Sequence, residues 1–331
     1  MKHIFTVDLS KDKSLKNQYL SNTLITNIEQ SLKNNKKTIL YLNKRGAYDL
    51  LVCKDCNYIK KCPKCDIILS VHKNPKVLMC HHCSYSENIS LKCESCEGTN
   101  LKNIGVGTEQ IEESVLKIFP GVKVFRLDSD NVSNISSKKD ALENIKSSNI
   151  IIGTKMITTG FDFNDIATIG IILLEQELQI PKYDTEEKIY SNIKQLIGRG
   201  GRLGGETNII IQTFVPNNEM IKNLIELNYK DFFKKTLEER KKFNYPPFVE
   251  LATLRYKDKN KINSIKFITD LKTRLDVINN GDYEIIIFEK PIKRDNQYFS
   301  KIIIKGKNLR EFLQNIKKEI FKNKDLVVIF E

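Results

Sequence analysis

All eight cysteines of the 331-residue chain lie between Cys53 and Cys96. They form four Cys-x-x-Cys pairs, namely Cys53/Cys56, Cys62/Cys65, Cys80/Cys83 and Cys93/Cys96. A tight turn with two residues between the thiolates directs both sulfurs at one metal, and tetrahedral Zn²⁺ binds four such ligands. Four pairs therefore predict two four-cysteine zinc sites. Their closed coordination leaves no open position for water, so both sites are expected to be structural.

The spacing alone leaves open which pairs share a metal, because four pairs allow three pairings. Disulfides are unexpected in a reducing cytosol, and redox motifs of this type would need a thioredoxin-like setting that the window lacks. The window is polar and short of large apolar residues. This composition predicts that it folds only with metal bound.

The chain is basic, with 54 Lys and Arg against 41 Asp and Glu and a formal net charge of +13. A nucleic-acid partner is compatible with this charge, but a composition rich in Lys, Asn and Ile can raise the pI without one. No run approaches ~18 apolar residues, and the N-terminus has no apolar signal core, so a cytoplasmic, membrane-free protein is expected. Four basic stretches near the cysteine window are candidate DNA contacts: Lys36-Lys37, Lys44-Arg45, Lys60-Lys61 and Lys64.

Strands and helices alternate on both sides of the cysteine window, and the strands are almost continuously apolar. This pattern predicts an α/β domain with a parallel sheet into which the zinc module is inserted. The predicted helices are 17–35, 108–119 with Thr108 as its cap, 137–147 and 186–197. The predicted strands are 38–42, 122–127, 149–153, 166–174 and 208–214.

A second domain is predicted after a charged helical connector at 217–245, which the Pro246-Pro247 dipeptide ends. The order strand, helix, strand, strand, helix, strand is typical of a ferredoxin-like α+β domain. Its predicted elements are 249–256, 260–277, 283–288, 299–305, 308–322 and 326–330. We therefore expect an α/β domain at 1–52 and 97–216, a zinc module at 53–96 and a C-terminal domain at 246–331.

Two segments carry more than fold information. Gly153-Thr154-Lys155-Met156 and Gly160-Phe161-Asp162-Phe163 follow a buried strand, at the edge where open α/β sheets bind ligands. Gln195 to Arg202 ends a helix and contains two arginines three residues apart. Such arginines suit a polyphosphate, although a Gly- and Arg-rich surface loop would look the same.

The ordered set of motifs resembles the C-terminal half of the PriA family of superfamily 2 replication-restart DNA helicases. Beyond the cysteine array and the two motif segments, the matching stretches are Tyr41–Gly46, Gly105–Glu109, Arg126–Asp130 and Tyr245–Phe248. The resemblance runs from about Val7 to near the end of the chain. It implies that the α/β domain is a RecA-like second helicase lobe.

The resemblance also implies the pairing of the cysteines, the first pair with the fourth and the second with the third. One zinc would be held by Cys53, Cys56, Cys93 and Cys96, and the other by Cys62, Cys65, Cys80 and Cys83. Gln195, Arg199 and Arg202 would form an ATP-sensing motif, with Arg202 as the arginine finger. The residues that would couple nucleotide to DNA are Gly153, Thr154, Gly160 and Asp162.

For function, the resemblance implies ATP-dependent 3′-to-5′ unwinding and primosome assembly at stalled forks. The expected partners are forked or single-stranded DNA and other primosome proteins, among them the single-strand-binding protein.

The sequence departs from the family at several positions. It contains no Gly-x4-Gly-Lys-Ser/Thr phosphate loop and no Asp-Glu-x-His motif. Leu173-Leu174-Glu175 replaces the usual Asp-Ala-Asp. At four single positions the chain also differs from the residue that is usual in the family. Thr159 stands in place of Lys, Phe161 in place of His, Asp184 in place of Arg and Gly200 in place of Ala.

Three interpretations therefore stay open. The chain is half of a helicase whose first lobe, on a separate polypeptide, would supply the ATP and Mg²⁺ site. Alternatively it is a non-catalytic zinc-containing DNA-binding or primosome adaptor protein, or a decayed remnant. In each case the chain alone is predicted not to hydrolyse ATP.

Overall fold

The computed structural model describes residues 1–12, 19–42, 49–63, 68–73, 76–80, 85–128, 138–158, 163, 165–178, 182–200, 205–226, 228–294 and 296–331. These residues divide into two compact units, Met1–Tyr229 and Lys230–Glu331. Within the described residues, no helix is long and apolar enough to cross a membrane.

Six described strands of the first unit form one sheet in which every neighbouring pair is parallel, as the sequence predicts. The spatial order is β1-β11-β10-β2-β9-β8. The strands are β1 (Lys2–Asp8), β2 (Lys37–Tyr41), β8 (Val124–Leu127), β9 (Ile150–Gly153), β10 (Ile166–Ile172) and β11 (Thr207–Thr213). The central strands are isoleucine-rich and fully buried, because helices cover both faces of a parallel sheet. The sequence analysis missed β1, an edge strand that lacks this continuous apolar run.

The described helices of the first unit are α1 (Asn22–Lys33), α2 (Thr108–Ile118), α3 (Lys138–Ser147), α4 (Glu175–Leu178), α5 (Thr185–Ile197) and α6 (Glu219–Ile225). Four of these helices lie where helices are predicted, a fifth, α6, lies within the predicted helical connector, and α4 is not predicted. The prediction that α1 starts at residue 17 is wrong, because Ser21 caps the helix by accepting from the Leu24 N–H. Thr108 is the first helical residue and not the cap, since its hydroxyl donates to Asp128 and Gly107 takes the capping position.

The cysteine window belongs to a second sheet, which the sequence analysis did not predict. Five described strands pair antiparallel in the order β6-β5-β4-β3-β7. They are β3 (Asp49–Cys53), β4 (Ser70–Lys73), β5 (Lys76–Met79), β6 (Ser86–Asn88) and β7 (Leu101–Ile104). Leu69, Val71 and Leu78 pack with two cysteine side chains in a small core. The module thus contains more apolar packing than its polar composition suggests.

The second unit builds an antiparallel sheet from four described strands in the order β13-β14-β12-β15. Its elements are β12 (Glu250–Asp258), α8 (Lys261–Ile278), β13 (Glu284–Arg294), β14 (Gln297–Gly306), α9 (Leu309–Gln314), α10 (Lys317–Lys322) and β15 (Leu326–Phe330). The helix α7 (Tyr229–Lys242) precedes them. The predicted helical connector at 217–245 contains two helices, since α6 ends at Ile225 and α7 begins at Tyr229. The single helix predicted at 308–322 is also two, because a short turn interrupts it at 315–316.

Candidate metal centre and sheet edge

Four cysteine thiols of the first unit converge on one point. The Sγ atoms of Cys53, Cys56, Cys93 and Cys96 all lie within 4.8 Å of one another. The Sγ of Cys53 is 3.6 Å from that of Cys96, and the Sγ of Cys56 is 3.6 Å from that of Cys93. Zn–S bonds of about 2.3 Å in a tetrahedron put sulfurs about 3.8 Å apart, so this spacing fits one zinc ion.

Two turns with the same backbone pattern present these thiols. In the first, the Cys53 N–H donates to the Tyr58 carbonyl and the Asn57 N–H donates to the Cys53 carbonyl, at 3.0 and 2.7 Å. In the second, Cys93 N–H donates to the Gly98 carbonyl at 2.8 Å, and Glu97 N–H to the Cys93 carbonyl at 2.9 Å. β3 and β7 pair through Cys53 and Leu101, which brings the two turns together.

The electrostatics of this cluster favour a cation. Burial raises the pKa of the Cys53 thiol. The Gly98 N–H lowers the pKa of Cys96, but hydrogen bonding to the Cys56 thiol and the remaining neighbours outweighs it and raises the pKa to about 12. The pKa of the Cys56 thiol is lowered instead, because its burial is outweighed by hydrogen bonds from the Tyr58 backbone and the neighbouring thiols. A bound cation would compensate the charge of the thiolates, and soft thiolates suit Zn²⁺.

The other two cysteine pairs are described only in part. Cys62 and Cys80 are buried in the same small core, at 2 % and 0 % exposure. The Cys80 N–H donates to the Tyr85 carbonyl at 2.8 Å, which repeats the first hydrogen bond of both described turns. Cys65 and Cys83 lie outside the described residues. The six described cysteines form no disulfide.

The predicted coupling segment begins at the carboxyl edge of the parallel sheet. Gly153 ends β9, and a Cβ there would lie 2.5 Å from the Leu127 carbonyl oxygen, so only glycine fits between β8 and the following turn. Thr154 is buried beside it. A 3-10 turn at Lys155–Thr158 follows. Gly160 and Asp162, together with Thr159 and Phe161, lie outside the described residues.

Of the predicted ATP-sensing residues, Gln195 and Arg199 are described and Arg202 is not. Gln195 is exposed on α5, and its amide donates to the Ser191 hydroxyl at 3.4 Å. The half-buried Arg199 follows the helix, and its Nη2 donates to the Thr158 carbonyl at 3.0 Å. The fold therefore brings the arginine motif to the 3-10 turn of the coupling segment.

Sequence reasoning missed two buried carboxylates on α4. One oxygen of Glu175 accepts from the Thr213 hydroxyl and from the Phe214 N–H. Burial raises its pKa. The Glu177 carboxylate accepts from the Tyr41 hydroxyl at 2.7 Å. No periodicity marks these residues, because their burial depends on strands far away in the chain. In the sequence, Glu175 stands out only as a departure from the family.

Three described lysines of the basic stretches make contacts within the protein, and Lys61 is exposed. Lys36 pairs with Asp165 at 2.8 Å, and Lys60 pairs with Glu87 at 3.1 Å and with Glu94. The Lys37 ammonium donates to three backbone carbonyls. Lys44, Arg45 and Lys64 lie outside the described residues. These lysines therefore offer less free charge to DNA than the sequence indicates.

Comparison with known proteins finds similarity both in the cysteine window and over most of the chain. Residues 62–87 match the family model described as the PriA DNA helicase Cys-rich region domain. The chain is 33 % identical to the replication restart protein PriA of Borreliella burgdorferi over 94 % of this chain and 48 % of that protein. It is 36 % identical to PriA of Chlamydia trachomatis over 75 % of this chain and 34 % of that protein.

The chain therefore spans half or less of the length of these relatives. Among solved structures, S. cerevisiae Dbp5 aligns with 72 % of this chain and 45 % of its own, with a TM-score of 0.35 and 11 % identity. A likeness this weak carries no argument about fold or function.

Proposed function

Because the chain belongs to the PriA replication restart family, we propose that it supplies the second motor lobe, two structural zinc ions and a DNA contact surface to a restart helicase. The observation that carries the proposal is the four-thiol cluster, inserted into a parallel α/β unit with PriA-like sequence throughout. The matched helicase relatives are at least about twice as long. Unwinding, ATP hydrolysis and assembly with primosome proteins thus belong to the proposal and not to the chain alone.

The proposed domains follow the sheets. The unit with the parallel sheet, at 1–52 and 97–216, would be the RecA-like second lobe, and 53–96 the zinc insertion. The antiparallel sheet of the insertion extends past these bounds, to Asp49 on one side and Ile104 on the other. Residues 246–331 would be a ferredoxin-like domain, which the order β15-β12-β14-β13 and the two helical crossovers support. The connector at 217–245 contains α6 and α7, between which the two compact units divide at Tyr229.

We propose a second zinc ion at Cys62, Cys65, Cys80 and Cys83. Its support is the shared burial of Cys62 and Cys80, the turn that starts at Cys80, and a family match whose span includes all four cysteines. Both zinc ions would be structural, because four thiolates leave no open position. ATP and Mg²⁺ would bind only when a separate first lobe supplies the phosphate loop, with Arg202 completing the site.

For DNA, we propose the face of the second unit's sheet that the helices leave uncovered. Helices α8, α9 and α10 pack on the face that carries Leu254 and Ile302. On the other face, Arg255 lies directly opposite Lys301, and Lys301 lies opposite Phe288. The Lys301 ammonium is 3.8 Å from the centroid of the Phe288 ring, which is 38 % exposed. Cations beside an exposed aromatic ring on one sheet face are the side chains that contact phosphates and stack on bases, so single-stranded DNA is the expected ligand.

This DNA contact is tested by binding of the chain to fluorescent oligo(dT) across salt concentrations. We expect affinity to fall steeply with salt, and the double variant Arg255→Glu/Lys301→Glu to bind weakly with a log–log slope smaller by about 1 to 2. The matched control is Lys266→Glu/Lys318→Glu, which makes the same charge change at exposed positions on α8 and α10. Equal loss in both double variants, or no binding at low salt, would contradict the proposed surface.

A further inference from the structure

The coupling segment and the arginine motif are separated by about 40 residues in the chain, yet they meet at one edge of the parallel sheet. The 3-10 turn at Lys155–Thr158 packs against α5, the helix that leads into the arginine motif. Two sets of polar contacts join these elements.

The first contact is made by Arg199. Thr158 is fully buried, and its hydroxyl donates to the Lys155 carbonyl at 2.7 Å, which closes the 3-10 turn. The Thr158 carbonyl then accepts from Arg199 Nη2 at 3.0 Å. A guanidinium has a fixed planar geometry, so this bond restrains the backbone beyond α5 against the end of the turn.

The second contact centres on Tyr41, at the carboxyl end of β2. Its ring is 1 % exposed, and its hydroxyl donates to Glu177 at 2.7 Å and hydrogen-bonds the Asn192 side chain of α5. Burial raises the pKa of Glu177, whereas the Tyr41 hydroxyl and the charge of Lys155 lower it. Lys155 begins the 3-10 turn, so the network reaches from β2 through α4 to both motif-bearing elements.

A buried carboxylate depends strongly on each partner, because removal of one leaves an unsatisfied group in a low-dielectric environment. Four elements, namely β2, the 3-10 turn, α4 and α5, therefore share one set of bonds. Neither motif can shift without disturbing it.

We propose that Tyr41, Glu177 and Arg199 are positioning residues that hold the turn Lys155–Thr158 and helix α5 together as one rigid element. The role in a motor rests on the proposed function, in which these segments respond to nucleotide and DNA. The joining of the two segments itself requires neither ligand.

The test is hydrogen–deuterium exchange of the full chain, read at the amides of residues 153–158 and 190–198. Tyr41→Phe and Arg199→Ala should each raise exchange there about fivefold or more, while amides of β12 and β14 stay unchanged. Arg199→Lys should restore protection, because an ammonium can also donate to the Thr158 carbonyl. Ser191→Ala, at an exposed position on the same helix, is the matched control and should change nothing at residues 153–158.

Unchanged exchange in both variants would overturn the proposal. A rise spread evenly over the whole parallel sheet would also overturn it, because these residues would then only stabilise the fold. The measurement uses no ATP or DNA, so a failure of the motor hypothesis would leave its result intact. Unchanged exchange in the variants would likewise not contradict the proposed zinc binding or DNA binding.

Discussion

At the scale of single residues, the four-thiol cluster depends on backbone conformation as much as on cysteine. Asn57 and Glu97 occupy equivalent places in the two turns, and both have left-handed backbone, with φ of 58° and 57°. Asn adopts this conformation readily, whereas Glu does so at some cost. The bound metal would offset that cost, since it gains four correctly directed ligands from the two turns.

Removal of single cysteines should separate the two proposed sites. We expect two zinc ions per chain, and one after Cys96→Ser or Cys80→Ser, because each substitution removes one ligand from a different site. The double variant should bind none. Mass spectrometry of metal content measures the ratio. A wild-type ratio near one, or loss of both ions from Cys96→Ser, would contradict the two-site assignment.

At the scale of elements, one lysine links a strand to a helix end. Lys37 begins β2, and its ammonium donates to the carbonyls of Ile145, Lys146 and Ser148 at 3.0, 2.6 and 2.6 Å. These carbonyls lie at the C-terminus of α3, where no further helical donor follows and the helix dipole favours a cation. Burial lowers the pKa of Lys37. Lys37 therefore caps the C-terminus of α3 within the parallel α/β unit.

Substitution of this cap should destabilise the protein. Lys37→Met keeps the aliphatic stem but leaves three carbonyls without their donor, so we expect a loss of about 1–3 kcal/mol in the free energy of unfolding. Lys36→Met removes only an exposed pair with Asp165 and should cost about 0–1 kcal/mol. Urea denaturation of both variants measures the difference. Equal effects would show that the cap contributes no more than surface charge.

Removal of metal should unfold the zinc module while the C-terminal unit of the protein stays folded. Its antiparallel sheet has short strands and a small core, so removal of metal with a chelator should expose the amides of Asp49–Ile104 to exchange. Amides of β12 to β15 should keep their protection, because that sheet has its own apolar core. Added Zn²⁺ should restore the module. Full protection after verified metal removal would contradict a metal-dependent fold.

At the scale of the whole molecule, the proposed function requires a phosphate loop, which this sequence does not contain. The chain aligns over 94 % of its length with a PriA that is about twice as long. The sequence retains Gln195, Arg199 and Arg202 but has no phosphate loop to hold the nucleotide. Under the proposed function, such a chain would complete an ATP site only in combination with another lobe.

The purified chain should show no DNA-stimulated ATP hydrolysis. No group of the sequence matches the motifs that hold the β- and γ-phosphates and Mg²⁺, so phosphate release should equal the blank with or without oligo(dT). Turnover that Arg202→Ala abolishes would contradict this expectation. Absence of turnover even with a first-lobe polypeptide added would favour the adaptor interpretation over the helicase half.

Structural features that depend on neighbouring residues could be predicted from the sequence, whereas features that depend on residues far apart in the chain could not. Alternating apolar strands and helices predicted the parallel sheet, since each buried strand is recognisable from a continuous apolar run of a few residues. The edge strand β1 and the sheet of the zinc module escaped prediction, because their stability comes from neighbours and metal ligands and not from their own periodicity. The start of α1 and the cap residue of α2 were predicted wrongly, because side-chain contacts decide both.

The sequence by itself determined the α/β class of the first unit and the family, and it predicted zinc binding by the cysteine pairs, because spacing and motif order are local and chemically specific. Tertiary structure brings Cys53/Cys56 to Cys93/Cys96, a pairing that the spacing leaves open and that only the resemblance implies. It alone decided that Lys37 caps α3 and that Tyr41 and Arg199 join two motifs. These contacts connect residues between about 40 and 140 positions apart. Only the packing of whole sheets brings such groups within hydrogen-bonding distance, so no pattern of neighbouring residues could reveal them.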